Sequence, residues 1–264
     1  MGQLRYALLR PKVESRGLMR ATSFSSEYAS VMSLDAYRIE KQSEYPTPSF
    51  RRHLSELNKI VLASGSVLEG NIFYPDGTPV KNPAAIRQSE IPPDRINRRA
   101  NVVNAVQGRR VALEIGFNAG HSALLILEAN PAIRYIGIDI CRHAYTAPCA
   151  DYLKANYGDR FDIYFGSSTD ILPEFIANEA CIDIDLVHVD GGHTEAVALA
   201  DLNYVTRMPR QPGLRRYLIV DDTQMPPILA ALSSFVSQGV LRAEKIRSTW
   251  RGRNNLFFEI MDAS

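Results

Sequence analysis

After Arg110 the apolar positions fall into a repeating pattern, short apolar runs of strand length alternating with longer stretches of helical period. The runs predict strands over 111–115, 134–138, 161–165, 184–189 and 216–220. Strands that alternate with helices in this way belong to a parallel sheet joined by crossovers. Before Arg110 the pattern differs. Phe50 to Ala63 carries Leu54, Leu57, Ile60 and Val61 at helical spacing and predicts an amphipathic helix. Asn71 to Val80 reads as two extended pieces around the turn Pro75-Asp76-Gly77. Pro83, Pro92 and Pro93 mark a linker, and Ile96 to Val106 reads as a helix entering the core. No repeat or low-complexity tract interrupts this order.

The first predicted strand runs into Glu114-Ile-Gly-Phe-Asn-Ala-Gly-His-Ser122, which turns on Gly116 and Gly120 and opens an apolar helix from Ala123 to Leu127. Glycines at such a turn allow positive φ and let a ligand approach the amides of a helix N-terminus, a place suited to an anionic group. A dinucleotide fingerprint would have glycines where Asn118 and His121 stand, so a pyrophosphate fits less well than a ligand with a single carboxylate, such as S-adenosylmethionine. The next strand ends in Asp139, where a doubly wound fold places the carboxylate that accepts ribose hydroxyls.

With these residues in view, the chain resembles the class I S-adenosylmethionine-dependent methyltransferases, and more narrowly the metal-dependent O-methyltransferases. The glycine turn and Gly166-Ser-Ser-Thr-Asp-Ile-Leu-Pro173 are similar to segments of the catechol O-methyltransferase-like enzymes, and Asp190-Gly-Gly-His193 is similar to a segment of the macrocin type. The resemblance covers about residues 110 to 225. It implies an α/β fold, a Rossmann-like, mostly parallel seven-stranded sheet with helices on both faces, over 101–264. Residues 1–100 are then an N-terminal extension, a candidate lid or homo-oligomer contact. The implied cofactor contacts are Glu114, Gly116, Asn118, Gly120, Ser122, Asp139, Gly166, Ser168, Thr169 and Asp190. Ser122 would donate to the cofactor carboxylate, and Ser168 and Thr169 would lie beside the adenine.

Asp190 ends one predicted strand, and Asp221 and Asp222 end the next, one helical crossover later. Carboxylates at neighbouring strand tips repel one another, a cost that a hard divalent cation relieves, with magnesium the natural candidate. The resembling families place metal ligands at these three positions, although the catechol type usually has Asn where Asp222 stands. His193, at the expected start of a helix through Val205, is the expected general base, since a neutral imidazole titrates near working pH. His188 is expected to face the core or the adjacent sheet surface. The expected reaction is methyl transfer to a hydroxyl of a small molecule. A methyltransferase that acts on nitrogen or carbon or works without a metal, and a cofactor-binding partner protein without turnover, are the rival readings.

Composition narrows this picture without changing it. With 264 residues, 45% of them hydrophobic and 22% charged, the chain can bury a full core. A net charge of +1 offers no field that would recruit nucleic acid or a membrane surface, and no apolar run reaches the length of a span. Cys141, Cys149 and Cys181 lack C-x-x-C spacing and read as reduced thiols of a cytoplasmic protein. The first twenty residues set Arg5, Arg10, Lys12, Arg16 and Arg20 against Glu14 alone. Pro11 interrupts an amphipathic helix there, so a basic arm is expected in preference to an organelle-targeting peptide. The cluster from Arg242 to Arg253 around Trp250 is expected to be the solvated face of a closing antiparallel hairpin rather than a nucleic-acid site.

Overall fold

The structure is a computed structural model of the chain, and it describes residues 47–70, 72–73, 96–244 and 255–262, all within the unit Tyr37–Ser264. Seven strands form one sheet: β1 (Val111–Ile115), β2 (Arg134–Asp139), β3 (Phe161–Phe165), β4 (Leu186–Val189), β5 (Arg216–Val220), β6 (Leu241–Ala243) and β7 (Leu256–Ile260). Their order is β3-β2-β1-β4-β5-β7-β6. The first five pair in parallel, and β7 runs antiparallel to both β5 and β6. The described helices are α1 (Pro48–Ala63), α2 (Ile96–Ala105), α3 (His121–Ala129), α4 (Thr146–Tyr157), α5 (Ser168–Ala177), α6 (Glu195–Arg207) and α7 (Pro226–Ser237).

All residues of β1, β4 and β5 are buried, because helices cover both faces, as a parallel sheet requires. The two-residue strand period sorts the apolar side chains into two cores. Val111, Leu113, Ile115, Ile136, Ile138, Val187 and Leu218 pack under α5, α6 and α7. Ala112, Tyr135, Phe161, Leu186, Tyr217 and Ile219 pack under α1 to α4. Phe50, Leu54, Leu57 and Val61 of α1 are wholly enclosed in that second core, each contributing about 1.5–3 kcal/mol by burial. The helix starts cleanly because Thr47 accepts the Phe50 amide at 3.1 Å and Pro48 occupies its first turn.

Strand β2 and the first two helices depart from the expected bounds by one or two residues, and two elements start later than expected. Strand β4 begins at Leu186 rather than 184. Ile184 turns back on its own segment, its amide donating to the Cys181 carbonyl at 3.2 Å and its carbonyl accepting from Arg216 Nε at 2.8 Å. Asp185 keeps backbone bonds to Val111 and Tyr217, and its carboxylate also accepts the Arg110 and Val111 amides at 2.9–3.1 Å. Helix α6 begins at Glu195, not His193, because Thr194 caps it by accepting the Val197 amide at 3.3 Å. The basic arm, most of the 71–80 turn and residues 245–254 of the basic cluster lie outside the described residues. Cys141, Cys149 and Cys181 are free thiols. Among the described residues no helix is long and apolar enough to cross a membrane.

The sheet order reverses between β1 and β4, since β1 leads outward to β2 on one side and β4 to β5 on the other. A crevice opens at the carboxyl ends of strands at such a point, and it is where open α/β sheets hold ligands.

Candidate functional site

Strand β1 exits through Gly116 at φ +100°, whose amide donates to the Ile138 carbonyl at 2.9 Å. A Cβ at Gly116 would lie 2.1 Å from the backbone oxygen of Asp190, so the turn after β1 rests directly on the turn after β4. Gly120, at φ +74°, stands at the N-cap of α3 and supplies no side-chain cap, so the positive end of the helix faces this turn. Asp139 faces this turn. Its Oδ2 accepts the Asn118 amide at 2.8 Å and its Oδ1 the Cys141 amide at 2.7 Å. Ile140 and Phe165, 54% and 47% exposed, flank it as apolar side chains open to solvent, and the sequence reading did not single them out.

Other expected cofactor residues are engaged elsewhere. The side-chain amide of Asn118 clasps the preceding segment, donating to the carbonyls of Glu69 and Gly70 and accepting the Tyr145 hydroxyl at 2.7 Å. Ser122 is buried in the first turn of α3, beside His121, whose Nε2 meets Asn58 Oδ1 at 3.0 Å. Burial pushes the His121 imidazole down to about 4, so it is neutral and joins α3 to α1. Gly166 leads from β3 into α5, where Ser167 caps the helix by accepting the Thr169 amide and Thr169 Oγ1 lies 2.7 Å from Ser167 Oγ. Ser168 is buried and donates to Asp201 Oδ1 at 2.6 Å. Glu114 is wholly enclosed. Its Oε1 meets His188 Nδ1 at 2.7 Å and its Oε2 accepts the Tyr135 hydroxyl.

The acidic tips converge, in an arrangement more divided than three carboxylates on one point. One set of ligand atoms within 4.8 Å of one another comes from His188, Asp190 and Asp221, and a second from Asp190, His193 and Asp222. Asp190 belongs to both. Asp221 is buried and lies in the inner set, whereas Asp222, at φ +52°, lies in the outer one with its Oδ2 3.1 Å from His193 Nε2. His188 is buried, and its Nε2 has no hydrogen-bond partner among the described residues. Carboxylate oxygens with an imidazole nitrogen suit a divalent cation, and the Glu114 carboxylate behind His188 is the support that metal-binding imidazoles usually have.

Electrostatics follow from this crowding. Burial first and the Asp221 charge second raise Asp190 well above the ordinary carboxylate range. Burial would raise Asp222 too, but the His193 hydrogen bond and the Arg98 charge outweigh it and hold Asp222 well below that range. The same bond raises His193 above the usual imidazole value. Burial opposes the charged form of His188, and Glu114 overrides it to push the ring up.

Arg98, from α2, was not foreseen. Its Nε donates to Asp221 Oδ2 at 2.8 Å, and its guanidinium reaches Asp222 Oδ1 at 3.5 Å. The signal in the chain was faint: α2 carries Arg98-Arg99 without a single acid along its length.

Comparison with known proteins agrees with this geometry. Residues 113–223 match a family described as a methyltransferase domain. An O-methyltransferase of Aspergillus flavus, imqG, is 33% identical over 66 residues, a match that spans 25% of this chain and 27% of that protein. Among solved structures, an O-methyltransferase from Bacillus cereus in complex with S-adenosylhomocysteine superposes with a TM-score of 0.54 at 14% identity, over 92% of this chain and 100% of the other. TomG from Streptomyces achromogenes, an O-methyltransferase of tomaymycin synthesis bound to S-adenosylmethionine, gives 0.51 at 18% identity, over 93% and 100%.

Proposed function

We propose, from the premise that residues 113–223 form a methyltransferase domain of the class I, S-adenosylmethionine-dependent kind, that this protein methylates a hydroxyl of a small molecule with the help of a divalent cation. The observation that carries the reading is the contact of Gly116 with the Asp190 backbone. It sets the cofactor turn and the acidic tips against each other, so a methyl donor on one and an acceptor on the other would meet. The relatives named above are O-methyltransferases, which favours oxygen over nitrogen or carbon as the acceptor.

S-adenosylmethionine supplies an electrophilic methyl group on a sulfonium. The chain's residues fit such a ligand: the glycine turn would admit its carboxylate to the N-terminus of α3, Asp139 would accept ribose hydroxyls, and Ile140 and Phe165 would offer apolar surface to a purine. Asp190 with Asp222 and His193, or Asp190 with Asp221 and His188, would hold a divalent cation, magnesium foremost, which supplies positive charge that acidifies a nearby hydroxyl. In the inner arrangement His193 is left as the base. Hydrogen bonding of its Nε2 to Asp222 fixes the tautomer and directs proton uptake to Nδ1. Holding acceptor and donor in line is an effect that contributes about 7–11 kcal/mol in favourable cases.

The test is turnover of S-adenosylmethionine with a panel of phenol and sugar acceptors, with products identified by mass spectrometry. Methyl ethers are expected, with activity lost in excess chelator and restored by magnesium. Full activity in chelator removes the cation from the mechanism, and methylation at nitrogen or carbon overturns the acceptor assignment.

A further inference from the structure

We infer that Arg98 is a tethered counter-cation for the acidic tips, which holds the Asp221 and Asp222 carboxylates together when no divalent ion is present and competes with one for their oxygens. The inference rests on the reading that this site takes a divalent cation.

The hydrogen bonds carry the argument. Asp221 Oδ2 accepts from the Arg98 guanidinium, and Asp221 Oδ1 accepts the Asp222 amide at 3.0 Å. Asp222 Oδ1 meets Arg98 at 3.5 Å and Gln224 Nε2 at 3.0 Å, and Asp222 Oδ2 meets His193. Every oxygen of the two carboxylates thus already faces a donor, and Arg98 is the permanent charge among those donors. A metal ion needs lone pairs from the same oxygens, so it gains ligands only as the guanidinium gives them up.

Arg98 is not a surface side chain that has fallen onto an acidic patch. It is 6% exposed, it comes from a helix outside the strand-and-crossover core, and it reaches a carboxylate 123 residues away. Its helix is fixed in place from the far end of the chain, since Asn255 donates to the Arg98 carbonyl at 3.1 Å and accepts from Asn101 at 2.8 Å. Three carboxylates and the buried Glu114 converge here, and an uncompensated set of this kind is costly in a low-dielectric site. One guanidinium offsets part of that charge, and a divalent cation would offset more from a smaller volume. The arrangement therefore stores the site in a folded, metal-ready form at the expense of metal affinity.

The test uses the full chain saturated with S-adenosylhomocysteine, with Mn²⁺ as the probe, read by calorimetry and by the electron paramagnetic resonance signal of free Mn²⁺. Arg98→Ala should bind Mn²⁺ at least tenfold more tightly than wild type, and its melting temperature, lower without metal, should rise further on adding Mn²⁺ than that of wild type. Arg98→Lys, which keeps a charge without the planar fork, should fall between the two, and it stands as the deciding variant if Arg98→Ala does not fold. Equal Mn²⁺ affinity in wild type and the folded variants overturns the competition while leaving the metal reading intact. An absence of Mn²⁺ binding in all of them overturns the metal reading and this inference with it.

Discussion

Replacing Gly116 by alanine tests the contact on which the functional reading stands. The substitution adds one methyl group with two consequences. A non-glycine residue at φ +100° is strained by about 1–3 kcal/mol. The new Cβ would also lie 2.1 Å from the Asp190 oxygen and 2.7 Å from its carbonyl carbon, both backbone atoms. Relief requires one strand tip to retreat by about 1 Å, which strains the bonds from Gly116 to Ile138 and from Asp190 to Ile115, each 2.9 Å long. Together these effects amount to about 3 kcal/mol or more, or roughly 6–12 °C in melting temperature at this chain length. Because the displaced backbone carries Asp190, turnover should fall by about 10²-fold beyond any loss of folded protein, the scale expected of a 1 Å misplacement. Gly120→Ala is the control. Its φ of +74° brings a similar strain, but its new neighbours are the Phe117 ring at 2.6 Å and a Leu153 methyl at 2.9 Å, side chains that can turn aside. Thermal melts, calorimetry with S-adenosylhomocysteine and turnover at a saturating acceptor give the three readouts. A Gly116→Ala protein that melts within 2 °C of wild type, by the same scale, with unchanged cofactor affinity would refute the reasoning.

Asp139→Ala should weaken S-adenosylhomocysteine binding by about 10-fold or more, the scale of a lost charge-assisted hydrogen bond, and unchanged affinity in calorimetry would remove Asp139 from the cofactor site. Asp201→Asn should be more stable than wild type above pH 6: burial pushes the Asp201 carboxyl up to about 6 against the Ser168 bond, so the folded state holds its proton longer than the unfolded state. Wild-type stability should accordingly fall as pH rises from about 4 through about 6, by up to about 3 kcal/mol from this group, and denaturant melts across that window should show the variant flatter; parallel curves would contradict the assignment.

The periodic features of the chain were legible because they are local. Apolar runs gave β1, β3 and β5 at their observed bounds, and the glycines and Asp139 followed from the chemistry of a strand-to-helix turn. Element starts differed where one side chain decided them. Nothing local in Ile184 says that the distant Arg216 will take its carbonyl, and Thr194 outcompeted His193 for the start of α6 because its hydroxyl can cap. Glu114 is expected as a cofactor contact from the resemblance alone, and its bonds to His188 and Tyr135 are not legible in the sequence. It is buried because β4 brings His188 opposite it and β2 brings Tyr135 alongside, both long-range events. Arg98 was hidden most deeply, since its partners are set by tertiary packing across more than a hundred residues.

The position of β7 bears on how the protein is made. It follows β5 and β6 in the chain, yet it sits between them, so both are synthesised before it. Until it arrives, the Arg216–Val220 edge of the nascent sheet is open, apolar and unpaired, the kind of edge that recruits other chains. Asn255, which anchors the helix bearing Arg98, arrives in the same late segment. Pairing of the β5 edge and seating of that arginine therefore depend on one late segment. A chain stalled or clipped before β7 would carry the cofactor turn intact and still lack an ordered acidic site.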